Sequence, residues 1–180
     1  MAKIKVGDRF ESNNCGWFEV ISYETCANIT VKFDKTGYIT KTQGSEIRNG
    51  KVKDKLYPIV YGVGFIGEGE YDAWGDGKKT KEYACWYGML ERCYSEKFQE
   101  RHPTYKGCSV CKEWHNFQVF AKYYNNNYKE GYDLDKDLLF KGNKVYSPYT
   151  CVFVPPHLNT FTIGYGASRG GYKIGVYLHG

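Results

Sequence analysis

The sequence predicts an α+β chain in which a small all-β unit comes first and helices packed on a ββα unit follow. Three observations carry this prediction. Short apolar segments recur between turn residues in the first third, two stripes at helical spacing occupy the middle, and residues 132–161 read as strand, turn, strand and Pro-opened helix.

Apolar segments at residues 17–23, 29–33 and 38–42 alternate with the turn pairs Asn13-Asn14, Asp34-Lys35 and Asn49-Gly50. Strand-length runs at that spacing make a small barrel or sandwich, and a unit of residues 1–56 has the size of an SH3-like barrel. Lys32, Lys35, Lys41, Arg48, Lys51 and Lys53 would give such a module a cationic surface for duplex DNA. Charges on outer strand faces are ordinarily only solvated, so a protein-binding or structural cap is the competing expectation.

A glycine-rich stretch follows at residues 57–79. Gly62, Gly64 and Gly67 fit the spacing of a GxGxxG dinucleotide motif, but acidic residues rather than a helix come next, so a linker with a hairpin is expected. Beyond it Tyr83, Trp86, Leu90 and Cys93 recur at helical spacing. Trp114, Phe117, Phe120, Ala121 and Tyr124 repeat that pattern before Asn125, Asn126 and Asn127 stop it.

In residues 132–161, Leu134, Leu138, Leu139 and Phe140 flank aspartates and Gly142-Asn143 supplies turn geometry, which predicts two strands joined by a short loop. Residues 151–154 form a continuous apolar run suited to a buried strand. Pro155-Pro156 lack amide donors and carry a helix-compatible φ, so they open a helix reaching about Phe161. Asp135 and Asn159 thereby fall where one metal ion could hold both, and a carboxylate plus an amide oxygen suits a hard cation. A last apolar strand is predicted at residues 172–178.

Four blocks in this order resemble the degenerate HNH endonucleases (ββα-metal, or His-Me finger, proteins) of bacteriophage genomes. They are residues 86–94, residues 105–114, the run Leu134-Asp135-Lys136-Asp137, and residues 145–151 followed by Asn159. The resemblance implies an HNH-like domain over residues 80–180 and metal-dependent hydrolysis of DNA phosphodiesters, homing or restriction-like in character. Asp135 and Asn159 would hold Mg²⁺ or Mn²⁺. Tyr87 stands where a restriction-enzyme branch of the family has a catalytic tyrosine, and Lys136 where that branch has an arginine.

There are two departures from the pattern. Thr150 replaces the middle asparagine of the HNH triplet, and Lys136 occupies the usual place of the water-activating histidine. A phenol is a poor base near neutral pH and a neighbouring cation favours phenolate, which is the part Lys136 would play for Tyr87. His157 is the substitute base within the ββα unit. The plainer roles are a Tyr87 that flanks a packed helix stripe, an Asp135 that caps a turn and an Asn159 that caps a helix. The competing function is an inactive scaffold that grips DNA or blocks a host defence protein.

Composition agrees with either function. The chain has 180 residues and a formal charge of +5, which permits a polyanionic partner, and its 18 tyrosines and four tryptophans add stacking capacity. No signal-like or membrane-length apolar run occurs, so a soluble protein of the host bacterial cytoplasm is expected. Seven cysteines point to free thiols in a reducing compartment. Cys108 and Cys111 form a CxxC that Cys93 and Cys151 could complete for structural Zn²⁺, although the irregular spacing weighs against it. Cutting both DNA strands would call for a dimer.

Overall fold

The computed structural model describes residues 3–158 and has a mixed α+β architecture. Its first part is a meander of β1 (Arg9–Ser12), β2 (Gly16–Thr25), β3 (Asn28–Phe33) and β4 (Ile39–Thr42), antiparallel and in that order across the sheet. Side-chain alternation makes the sheet one-sided. Phe18 and Val20 on β2 and Ile29, Val31 and Phe33 on β3 are wholly buried, while Glu19 and Lys32 between them face water. The register puts Phe18 opposite Phe33 and Val20 opposite Val31, so the two buried rows coincide.

The expected SH3-like barrel does not close. The order is linear, with the two four-residue strands β1 and β4 at opposite edges, and four strands are too few to curl into a cylinder. Ile4, Val52 and the short helix α1 (Gly44–Arg48), through Ile47, cover the apolar face instead. The Ser12 hydroxyl ties this cover to the sheet by donating to the Val52 carbonyl at 2.7 Å.

Residues 57–79, expected to link, are packed. Val60 and Gly64 close a tight turn, and Phe65 exchanges backbone hydrogen bonds with His115 and Phe117. A β-carbon on Gly64 would lie 2.4 Å from Leu90 Cδ1 and 2.9 Å from the Trp86 ring, so this glycine serves close approach rather than freedom. The expected hairpin is present as β5 (Trp74–Gly75) and β6 (Lys78–Lys79), turning at Asp76-Gly77 with both φ positive.

The second hydrophobic cluster is built on α2 (Lys81–Tyr94) and α4 (Phe117–Asn127), with α3 (Glu96–Arg101) and β7 (Ser109–Val110) between them in the chain. Thr80 caps α2, its Oγ1 accepting from the Tyr83 N–H. Tyr83, Trp86, Met89, Leu90 and Cys93 then face inward, and the Trp86 indole N–H donates to the Trp114 carbonyl at 2.6 Å. Helix α4 starts at Asn116, whose Oδ1 accepts from the Gln118 N–H, so Trp114 belongs to the 3₁₀ turn Lys112–His115 ahead of it. It ends on the expected run of Asn125, Asn126 and Asn127. Asn125 and Asn127 form its last turn, donating to the Ala121 and Tyr123 carbonyls at 2.9 and 2.8 Å.

The two strands expected in the ββα segment are β8 (Asp133–Asp135) and β10 (Val152–Val154), antiparallel with Asp135 opposite Val152. Between them β9 (Val145–Tyr146) leaves to pair in parallel with β7. The first strand ends at Asp135 instead of running on through Leu138–Phe140, because the Asp137 and Leu138 N–H groups both donate to Asp135 Oδ1 and turn the chain. The chain is helical at 156–158, where Pro-Pro was expected to start a helix. Asn159 and the strand expected at 172–178 lie outside the described residues. Among the described residues no helix is long and apolar enough to cross a membrane.

Candidate functional site

A cleft of about 1260 Å³ separates one face of α2 from β8 and the loop that follows it. Lys81, Ala84, Cys85, Gly88 and Arg92 line the helical wall, at spacings that share one face of a helix. Ala84 and Gly88 open the space by having almost no side chain. The facing wall mixes carboxylates, cations and rings: Asp133, Asp135, Lys136, Lys141 and Lys144 together with Tyr124, Tyr128 and Phe153.

Asp135 is 8% exposed. Its Oδ1 is fixed by the two backbone donors, Asp137 at 2.8 Å and Leu138 at 2.6 Å, so the carboxylate has a set direction at the mouth of β8. Strand alternation puts Asp133 on the same side of β8. Lys136 is equally withdrawn from water at 6% exposure, and its ammonium donates to Asp137 Oδ2 at 2.5 Å. The same ammonium lies 5.9 Å and 5.8 Å from the centres of the Tyr105 and Tyr146 rings. Arg92 reaches them from α2, lying 6.0 Å from the Tyr105 ring and hydrogen-bonding Tyr146. Burial pushes the Tyr146 hydroxyl well above the usual phenol range against the pull of Arg92, so it stays a neutral partner.

Tyr124 and Tyr128 stack with centroids 4.4 Å apart and planes 16° from parallel, and Phe153 meets both edge-on. Burial, then the hydrogen bond with Tyr128, raises the Tyr124 hydroxyl. The cleft is therefore lined by both cationic side chains and stacked rings.

Of the residues singled out in the sequence, Asp135 and Lys136 meet in this cleft. Tyr87 does not. Each helical residue turns about 100° from the last, so Tyr87 faces away from the Cys85, Gly88 and Arg92 side. Its ring packs 5.2 Å from Tyr61 and 6.2 Å from Tyr83, and the cation beside it is Lys79, at 3.7 Å, rather than Lys136. Burial and hydrogen bonds to Tyr87 and Glu91 raise the Tyr61 hydroxyl. His157 is exposed in the helical turn after β10. Thr150 ties the β9 end of the loop, its hydroxyl donating to the Val145 carbonyl at 2.7 Å.

Cys93, Cys108 and Cys151 are buried and Cys111 is half-buried, all as free thiols. Burial pushes the Cys93 thiol up to about 12 and the Cys151 thiol to about 11. Among the described residues no group of three or more His, Cys, Asp or Glu side chains is disposed to hold a metal ion. Lys32, Lys35, Lys41, Arg48, Lys51 and Lys53 are all exposed, and Glu19 lies opposite Lys32 in the register and breaks the positive face.

Sequence reasoning missed Arg92, Tyr105 and Tyr146. The available signal was the spacing of Ala84, Gly88 and Arg92, a helix face of small residues ending in a cation. Compared with family models, with curated proteins and with solved structures, the chain gives no match.

Proposed function

We propose that the protein is a metal-dependent, HNH-like DNA endonuclease of the host cytoplasm, and that the cleft between α2 and β8 receives the phosphodiester backbone. The observation that carries this is Asp135. A buried carboxylate, aimed by two backbone amides at the end of a strand, stands among Arg92, Lys136, Lys141 and Lys144, where a phosphate would be bound. Residues 80–180 are then the HNH-like domain and residues 1–56 a small β-sheet module that adds contacts to the duplex.

The donor chemistry suits a hard cation. Asp135 supplies a carboxylate oxygen, Asp133 a second on the same side of β8, and Asn159 the amide oxygen, whereas the thiols nearby suit softer metals. A bound Mg²⁺ or Mn²⁺ would supply charge stabilisation at the leaving 3′-oxygen. The protein's own cations neutralise the phosphate, and the Tyr124, Tyr128 and Phe153 rings stack on neighbouring bases. Tyr87, on another face of α2, is not assigned the water-activating role.

A second reading has its own support. Asp135 Oδ1 already serves the turn, and no histidine lines the cleft among the described residues, so the scaffold could bind DNA or a host protein without cutting. Plasmid nicking in Mg²⁺ or Mn²⁺ beside an Asp135→Asn control decides between them. Cutting no faster than the control ends the catalytic proposal, and a DNA gel shift that weakens steeply with salt would then keep the binding one.

A further inference from the structure

Residues 136–144 leave the end of β8 as a loop pinned at both ends. Besides the two amides on Asp135 Oδ1, the Asn143 side-chain amide donates to the Lys136 carbonyl at 2.9 Å and to the Val145 carbonyl at 2.7 Å. The Asn143 N–H donates to the Phe140 carbonyl at 3.0 Å. A loop fixed this way holds its crest in one place, and the crest is apolar. Leu138, Leu139 and Phe140 are 43%, 50% and 57% exposed. Single exposed apolar residues are ordinary, but three in succession on a rigid loop mark a contact surface.

The surrounding charge identifies the contact. Lys141 and Lys144 are exposed beside the crest, and Arg92 lines the cleft next to them. The carboxylate of Asp137, next to the crest in sequence, is paired with Lys136. Lysine is depleted at the centre of protein interfaces, whereas apolar side chains ringed by cations are how proteins part a base step while neutralising the flanking phosphates.

We propose, resting on the DNA reading of the cleft, that Leu138, Leu139 and Phe140 form a wedge that inserts between stacked base pairs of duplex DNA. The wedge kinks the duplex so that its backbone reaches Asp135. No covalent step is involved. Unstacking a base step is costly, and the kink returns this through contacts between the cleft cations and the backbone.

The test uses the full chain in EDTA, so that no strand is cut. A closed circular plasmid is relaxed by a metal-independent topoisomerase with saturating protein, and occupancy is measured by gel shift. The wild type should shift the linking-number distribution, Phe140→Ser should lose that shift while binding within about tenfold of wild type, and Leu139→Ser should behave alike. Lys141→Ala should instead lower the salt slope of binding by about one while keeping the shift at equal occupancy. Bound wild type that leaves plasmid topology unchanged overturns the wedge and spares the cleft. Failure to bind DNA at all overturns both. A dimer broken by Phe140→Ser with DNA binding untouched assigns the crest to self-association and also overturns the wedge.

Discussion

The Lys79 ammonium lies 3.7 Å from the centre of the Tyr87 ring, and that contact, with Tyr61 on the other flank, fixes the tyrosine on a face of α2 that the cleft does not share. Tyr87 is the residue with most to say about catalysis in the sequence. Its neighbours assign it to packing at the junction of the β5–β6 hairpin and α2.

Tyr87→Phe keeps the ring over Lys79 and removes only the hydroxyl that hydrogen-bonds Tyr61. The expected loss is about 1 kcal/mol in urea unfolding, the net worth of one hydrogen bond. Nicking and DNA affinity should stay within about twofold of wild type, since random surface or packing changes rarely reach a distant site. A variant that folds normally but cannot nick would return Tyr87 to the chemistry.

Asp135 combines a structural and a proposed chemical role, and two substitutions separate them. Asp135→Ala leaves the Asp137 and Leu138 amides without their acceptor and should cost about 1–3 kcal/mol. Asp135→Asn keeps an oxygen for both amides but removes the charge, so its thermal midpoint should stay near wild type while metal-dependent nicking is lost. If Asp135→Asn nicks at the wild-type rate, the carboxylate is only a turn cap.

Local periodicity explains what the sequence revealed. Trp86, Leu90 and Cys93 on α2 and Phe117, Phe120 and Tyr124 on α4 repeat at helical spacing and are the core, and the alternation on β2 and β3 sets the first sheet. Asp135 and Lys136 are adjacent on one strand end, so their shared cleft needed no long-range information. Tyr87 did. Which residue a helix turns toward a distant strand depends on packing between elements, and within α2 only the small residues Ala84 and Gly88 set the cleft side apart from the Tyr87 side. The strand through Leu138 failed for a local reason of another kind, since an aspartate accepting from the amides two and three residues on overrides apolar strand propensity. Closure of the barrel depends on strand count and shear, which no single segment encodes.

Two glycines in the same cluster should respond oppositely to alanine. Gly64→Ala places a methyl 2.4 Å from Leu90 Cδ1 against the immobile Trp86 ring, and overpacking of that kind costs about 1–3 kcal/mol. Gly88 lies inside α2 with nothing within 4 Å of an added β-carbon, so Gly88→Ala should gain up to about 1 kcal/mol of helix stability. The new methyl enters the cleft, so DNA affinity should fall as stability rises. Denaturant midpoints and a gel shift read both, and a stabilised Gly88→Ala with unchanged DNA binding would place the ligand elsewhere.

The buried thiols make the second cluster sensitive to alkali. Burial raises Cys93 from 9.0 to about 12 and Cys151 from 9.0 to about 11, so each holds its proton in the folded chain at a pH where the unfolded chain has lost it. Their contribution is therefore complete below about pH 9 and declines as pH rises, toward 11 for Cys151 and 12 for Cys93. The slope is about 1 kcal/mol per pH unit for each thiol. Urea midpoints at pH 8, 9.5 and 10.5 should fall in that order, and Cys93→Ala with Cys151→Ala should flatten the fall even though the cavities lower stability throughout. A thiol reagent at pH 8 should modify the exposed Cys26 at once and Cys93 and Cys151 only on unfolding. Rapid modification of Cys151 in the native protein would mean that the β8–β10 hairpin opens in solution and that Asp135 is not held as firmly as its two amide hydrogen bonds require.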